Sequence, residues 1–187
     1  MDTVLDLIGA AIIAAIVMVG IANLNIYSSQ IQFKSNSDLQ LQMNAKTLAD
    51  IIESDLRKIG YGYKGASPII TADPQEIKFY ADIDSNNVVD TISYSLSDST
   101  AVSYTDNPSD RILYRVVNGD TSKGPSLGIT NLKLSYLNIL GNATTIPDSI
   151  KYIKAELWVQ SPTKVYDNNQ EKYLFTYWEL TINPRNI

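Results

Sequence analysis

An apolar stretch from Val4 to Ala22, broken only by Asp6, opens the chain and runs without proline into an amphipathic pattern that ends near Gly60. No charge lies between Leu7 and Phe33, and Leu7 to Ala22 holds only Leu, Gly, Ala, Ile, Val and Met. A helix that is apolar on every face has to be buried on every face, in lipid or among other helices. Crossing a bilayer takes about 20 mostly apolar residues, a length reached once Val4, Leu5 and the softer Asn23 to Tyr27 tail are counted. A secretory signal peptide needs a cationic leader, whereas the nearest Lys or Arg here is Lys34, beyond the run. For the same reason flanking positive charge gives the segment no orientation.

Asp6 sharpens the question. An ionisable group near the end of an apolar helix either snorkels to the headgroups or neutralises a buried cation. No cation is within reach on its own helix, so in the second case the partner belongs to another chain, a free α-amino group being the natural candidate.

Downstream, Leu41, Ala45, Leu48, Ile52, Leu56 and Ile59 recur at steps of three and four, which places them on one helical stripe. Charges line the other face: Glu53 and Arg57 are four apart in the favourable order, Lys46 and Asp50 in the reverse order, and Lys58 suits the last turn. Gly60, Gly62 and Pro68 stop the helix. Continuous from Val4 to Lys58, such a helix is roughly 80 Å long at 1.5 Å per residue, taller than a small domain, so its first half must protrude. Gly9 and Gly20 each cost about 1 kcal/mol relative to Ala, and Gly20, followed by Asn23 and Asn25, is where the backbone can loosen. The apolar positions do not form a sustained heptad, which ranks a coiled-coil stalk lower.

From Tyr61 onward the vocabulary becomes Tyr, Val, Ile and Thr separated by Asn, Asp, Gly, Ser and Pro clusters. Strands are expected near Glu76 to Tyr80, Val88 to Leu96, Arg111 to Val117, Leu132 to Leu137, Ile150 to Gln160 and Tyr173 to Ile182. The clearest alternation sets Ile153, Ala155, Leu157 and Val159 against Lys154, Glu156, Trp158 and Gln160, one face core and the other wet. Another sets Leu174, Thr176, Trp178, Leu180 and Ile182 against Phe175, Tyr177 and Glu179. With no helix of comparable length between them, the strands form an antiparallel sheet on the amphipathic half of the helix, an α+β fold. Two segments result: residues 1–33, an apolar membrane or filament-core helix, and residues 34–187, a globular α+β domain.

The start Thr3-Val4-Leu5-Asp6, the unbroken apolar helix, the ending Leu56-Arg57-Lys58-Ile59-Gly60-Tyr61 and the β-rich remainder together resemble the bacterial type IV pilin superfamily. Within it, Ile77 to Asp82 leading into Asp90 to Tyr94, the segment Ile129 to Tyr136 and the late strand Ile150 to Ser161 look most like J-type minor pseudopilins of type II secretion and W-type minor pilins. The family's mature N-terminus reads Phe-Thr-Leu-Ile-Glu after a basic leader; if Asp6 stands for that glutamate, the mature chain begins at Asp2. The family's helix-kinking proline is absent, which leaves Gly20 as the place for a bend. The resemblance implies a structural subunit held in the inner membrane and then extruded into an extracellular or periplasmic filament cored by such helices, its partners copies of itself or related pilin subunits. Thr3, Asp6, Gly9, Ala14 and Gly20 are the expected assembly residues, with Asp6 meeting the N-terminal amine of the adjacent subunit. The alternative is a membrane-tethered binding module that never polymerises.

A second candidate site is the run Asp82, Asp84, Asn86 and Asp90, whose alternating oxygens suit a hard cation such as Ca²⁺. No bidentate Glu closes the loop and Asn87 stands where a glycine usually turns it, so a plain hairpin turn, which Asp and Asn also favour, is the competing expectation. The chain has no His and no Cys, which removes the commonest general base, the thiol nucleophile and most transition-metal sites. No carboxylate pair or phosphate loop is marked out, so catalysis is not expected. A net charge of −5 with scattered basic residues leaves no nucleic-acid patch.

Overall fold

The computed structural model describes residues 2–123, 128–167 and 170–187; Met1, counted in the expected segment 1–33, lies outside them. One helix, α1 (Asp2–Arg57), is followed by ten strands: β1 (Ile69–Asp73), β2 (Glu76–Ala81), β3 (Asp90–Leu96), β4 (Leu113–Val117), β5 (Asp120–Lys123), β6 (Ile129–Leu137), β7 (Tyr152–Gln160), β8 (Val165–Asp167), β9 (Gln170–Lys172) and β10 (Phe175–Ile182). The fold is α+β, with every strand pairing antiparallel.

Helix α1 continues without interruption through Gly9 and Gly20. The stripe read from the sequence is its buried face: Leu41, Ala45, Leu48, Ile52, Leu56 and the following Ile59 all enter the core. Glu53 pairs with Arg57 at 2.5 Å and Lys46 with Asp50 at 2.5 Å, both on the wet side. The helix then ends where the backbone turns left-handed at Gly60 (φ 80°). A side chain there would be doubly excluded, because a Cβ would sit 2.3 Å from the Asn186 carbonyl oxygen.

The strands do not make the one sheet expected. They form a five-stranded sheet in the order β1-β2-β3-β4-β5, a three-stranded sheet in the order β10-β7-β6, and the separate hairpin β8-β9. Helix α1 packs on β10, β7 and β8, while its stripe and the inner faces of both larger sheets share one core that includes Phe79, Ile92, Tyr94, Leu132 and Leu157. The two sheets meet through Tyr136, whose hydroxyl donates to the Asp73 carbonyl at 2.9 Å, and through the Leu134 amide, which donates to the Pro74 carbonyl at 2.7 Å.

Strand β7 alternates as expected, with Ile153, Ala155, Leu157 and Val159 buried. Strand β10 departs from expectation: Trp178 belongs to the inner series yet stays 39 % exposed, because β10 is an edge strand and α1 covers only part of it. The outer face of this sheet is a solvated ionic mesh, with Lys154 3.1 Å from Glu179 and Lys133 3.5 Å from Glu156. The Tyr177 hydroxyl lies 2.8 Å from Glu156 and 2.7 Å from Glu179 and can donate its one proton to either carboxylate.

The hairpin β8-β9 packs against α1 through β8. Val165 anchors it in the interior, and Asp167 takes ion pairs from Lys172 and from Lys34 on the helix. Lys172 first and Lys34 second hold the Asp167 carboxyl below the usual range for aspartate.

Candidate functional site

Two features sit apart from the packed domain. The first is the free part of α1. Leu41 is the first fully buried helix residue, and everything before it is exposed or half-buried. Thirteen large aliphatic side chains between Val4 and Ile26 are each more than half exposed. At about 1.5–3 kcal/mol for fully burying one such side chain, the forgone stabilisation is on the order of 20 kcal/mol, more than the roughly 5–15 kcal/mol that holds a domain folded. The surface is therefore built to be covered. The helix is also long and apolar enough to cross a membrane.

Of the expected assembly residues, Thr3, Asp6, Ala14 and Gly20 are exposed and Gly9 is half-exposed, all on this free rod. A Cβ added at Gly9 or Gly20 would meet nothing in its own chain, so neither glycine is required by the fold of the monomer. Among the described residues Asp6 has no hydrogen bond and no ion pair. It sits near the helix N-terminus, whose partial positive charge favours an anion.

The second feature is the loop between β2 and β3. One carboxylate oxygen from each of Asp82, Asp84 and Asp90 lies within 4.8 Å of the others, so the fold does bring these three acids together. Each is already engaged. Asp82, buried beside Gly62, accepts from the amides of Asn86 (3.0 Å) and Asn87 (2.9 Å). Asp90 accepts from the Ile83 amide at 3.2 Å and from the Asn118 side-chain nitrogen at 2.6 Å. Asp84 accepts from both nitrogens of Asn86, and the Asn86 side-chain oxygen turns to the Val88 amide at 2.7 Å. Ser85 and Asn87 take the left-handed backbone, φ 63° and 68°, which Asn tolerates better than most residues. The ammonium of Lys58 binds the Ile83 carbonyl at 2.6 Å, reaching the loop from the end of α1. This is a hairpin loop tied largely by its own amides.

A polar centre that the sequence reading missed lies where α1 meets the five-stranded sheet. Asp55 is buried and accepts from the Tyr94 hydroxyl at 2.6 Å and from Arg115 Nε at 2.6 Å, while Arg115 Nε also lies 3.2 Å from the Tyr94 oxygen. Burial, and after it the Asp55 carboxylate, push the Tyr94 phenol far above its ordinary value, so it stays a donor. The available signal was position: Asp55 falls three residues after Ile52, inside the apolar stripe, where a charge needs a partner.

Asp110 is the opposite case. It is fully buried, and neither of its carboxylate oxygens accepts a hydrogen bond from the described residues. Burial raises its carboxyl above the usual aspartate value, with Thr105 pulling it back down.

The long apolar helix packed by its second half on antiparallel sheet fits the pilin fold in general. No family model, curated protein or solved structure matches the chain.

Proposed function

We propose that the chain is a structural subunit of a type IV pilus-like filament, a pilin or pseudopilin resembling the J- and W-type subunits most, assembled by bundling of N-terminal helices. The single observation that carries the reading is the bare aliphatic rod standing out of a folded domain. In the membrane, lipid covers it. On leaving the membrane the same surface has to be covered by sister helices, and the Gly and Ala residues along it permit close approach. The subunit thus waits in the inner membrane and ends in an extracellular or periplasmic polymer of itself or related subunits.

Asp6 supplies register. In the bundle it meets the α-amino group of the neighbouring chain, because a carboxylate buried among apolar helices without a partner costs several kcal/mol. Asp6→Ala is expected to abolish filaments while leaving membrane insertion intact, read by electron microscopy of sheared cell-surface material alongside membrane fractionation. Normal filaments from that variant would refute the pairing. Bulky replacements at Gly9, Ala14 and Gly20 address the wider reading: a bundle rejects them, whereas a helix serving only as tether for a binding module accepts all three.

A further inference from the structure

We infer that the outer face of the three-stranded sheet, with the cleft beside it, binds a neutral glycan, a chain of uncharged pyranose sugars. The site goes beyond the filament reading and does not rest on it. It lies on the face of β7 opposite Ile153, Ala155, Leu157 and Val159, which enter the core with the α1 stripe, so it stays open whatever covers the rod.

Strand register assembles an aromatic platform. Trp158 of β7 pairs with Tyr177 of β10 on one side and with Asn131 of β6 on the other, and Gln160, two residues on, pairs with Phe175. Directly paired residues carry their Cβ atoms about 5 Å apart on one face, so three aromatic rings and two amides form two adjacent rows. The Trp158 and Tyr177 rings meet edge to face with centroids 5.3 Å apart. Phe175 is 55 % exposed and Tyr177 40 %.

Asn131 and Gln160 also wall a cleft of about 510 Å³ that continues to Gln75, Ser99 and Arg111, a size within the roughly 300–1,000 Å³ usual for small-ligand sites. Its lining side chains, one proline apart, are amides, hydroxyls and a single guanidinium, with no carboxylate. The fold fixes several of them. A bulge between Ile129 and Asn131 breaks the β6 register at this wall, where the Thr130 hydroxyl donates to the Trp158 carbonyl at 3.2 Å. Buried Asn107 donates to Gln160 Oε1 at 3.0 Å, and Arg111 donates to the Ser97 carbonyl at 3.1 Å. Among the described residues, the side-chain amides of Gln75 and Asn131, the Gln160 Nε2 and the remaining Arg111 nitrogens have no hydrogen-bond partner.

Platform and cleft match the two sides of a pyranose. Its ring carbons present a flat C–H face, which stacks on the electron-rich face of an aromatic ring. Its hydroxyls call for planar groups that give and take paired hydrogen bonds, as amides do, and a guanidinium fork adds donors. An apolar ligand would leave these donors desolvated and unpaired. A polyanion would find one cation here, in a chain of net charge −5, with Glu156 and Glu179 in the next row of the sheet. Rings and amides already held in place lower the cost of capturing a flexible sugar chain.

The chain has two tryptophans, so Trp178→Phe leaves Trp158 as the reporter within the site. The full-length Trp178→Phe chain, in a detergent without a sugar headgroup, is titrated with maltohexaose, cellohexaose, chitohexaose and mannohexaose while Trp158 emission is followed. The expected result is a saturable change with at least one of them, weakened about tenfold by Asn131→Ala and by Phe175→Ala and unchanged by Lys133→Ala one row away, with circular dichroism showing each variant folded. No saturable change with any of these sugars would overturn the site, as would a response indifferent to both Asn131→Ala and Phe175→Ala. Tighter binding of hexagalacturonate or of a single-stranded oligonucleotide than of every neutral probe would overturn it too. None of these outcomes bears on filament formation, so the two readings fail separately.

Discussion

The two ends of α1 are one continuous helix with opposite needs. Near its C-terminal end a carboxylate, Asp55, lies buried and answered inside its own chain by Tyr94 and Arg115. Near its N-terminal end another carboxylate, Asp6, lies among aliphatic side chains with no answer among the described residues. The C-terminal end is complete as a monomer and the N-terminal end is not. Under the filament reading the difference assigns stability to one end and association to the other, so substitutions at the two ends should separate into different assays.

The largest effect is expected at the answered acid. Asp55→Ala leaves the Arg115 guanidinium half-buried without its partner, and should cost about 3–5 kcal/mol in denaturant unfolding of the detergent-solubilised chain. A loss below 1 kcal/mol would show that the polar centre does not tie the helix to the sheet. Next, Leu56→Ala at the packed end should cost about 3 kcal/mol, whereas Ile13→Ala at the bare end should change unfolding by less than about 0.5 kcal/mol. Comparable losses at both positions would erase the contrast between the halves.

The acidic loop gives a smaller effect. Asp82→Ala leaves the Asn87 amide without an acceptor and the Asn86 amide with Asp84 alone, and should lower stability by about 2 kcal/mol, equally in calcium and in chelator. A loss seen only with calcium present would make the loop a cation site. The smallest effect belongs to Asp110. Its folded carboxyl is raised, so the folded state holds the proton more tightly than the unfolded chain does. Its contribution is therefore present at acid pH and is lost as pH rises through the raised value. Asp110→Asn should flatten this part of the pH–stability profile and raise the melting temperature at neutral pH; a fall there would show the carboxylate to be usefully paired.

Much of this was legible because helix α1 contains no proline and its stripe has a period that only a helix presents to one side. The centres of β6, β7 and β10 were legible from alternation, and those of β2, β3 and β4 from Tyr, Val, Ile and Thr runs between turn-forming clusters. The missed strands are short: β5 (Asp120–Lys123) and β9 (Gln170–Lys172) have no apolar residue between them to set a period, and β1 (Ile69–Asp73) and β8 (Val165–Asp167) are too brief to show one. One cue was there to be used, since Asn118 and Gly119, φ 53° and 92°, are the dipeptide that favours a tight hairpin between β4 and β5. The division into separate sheets was not legible, because alternation tells which way a side chain faces and not which strand lies beside it. The acids of the β2–β3 loop could be grouped by spacing, but their commitment to backbone amides depends on a turn that only the folded chain reveals. Nothing local distinguishes Asp110 from the exposed Asp106 four residues earlier.

The Asp55–Tyr94–Arg115 centre has a mechanical consequence. If the chain works in the filament proposed for it, tension pulls each subunit along its rod, and that pull reaches the globular part in shear. The three polar groups lie near the far end of the buried stripe from the load, beyond Leu41 to Ile52, and they fasten α1 to β3 and β4 of a sheet that the helix otherwise touches little. The helix behaves like a bolt with its nut at the protected end: it slips only when the stripe and the fastening yield together, which favours sudden rupture over gradual creep.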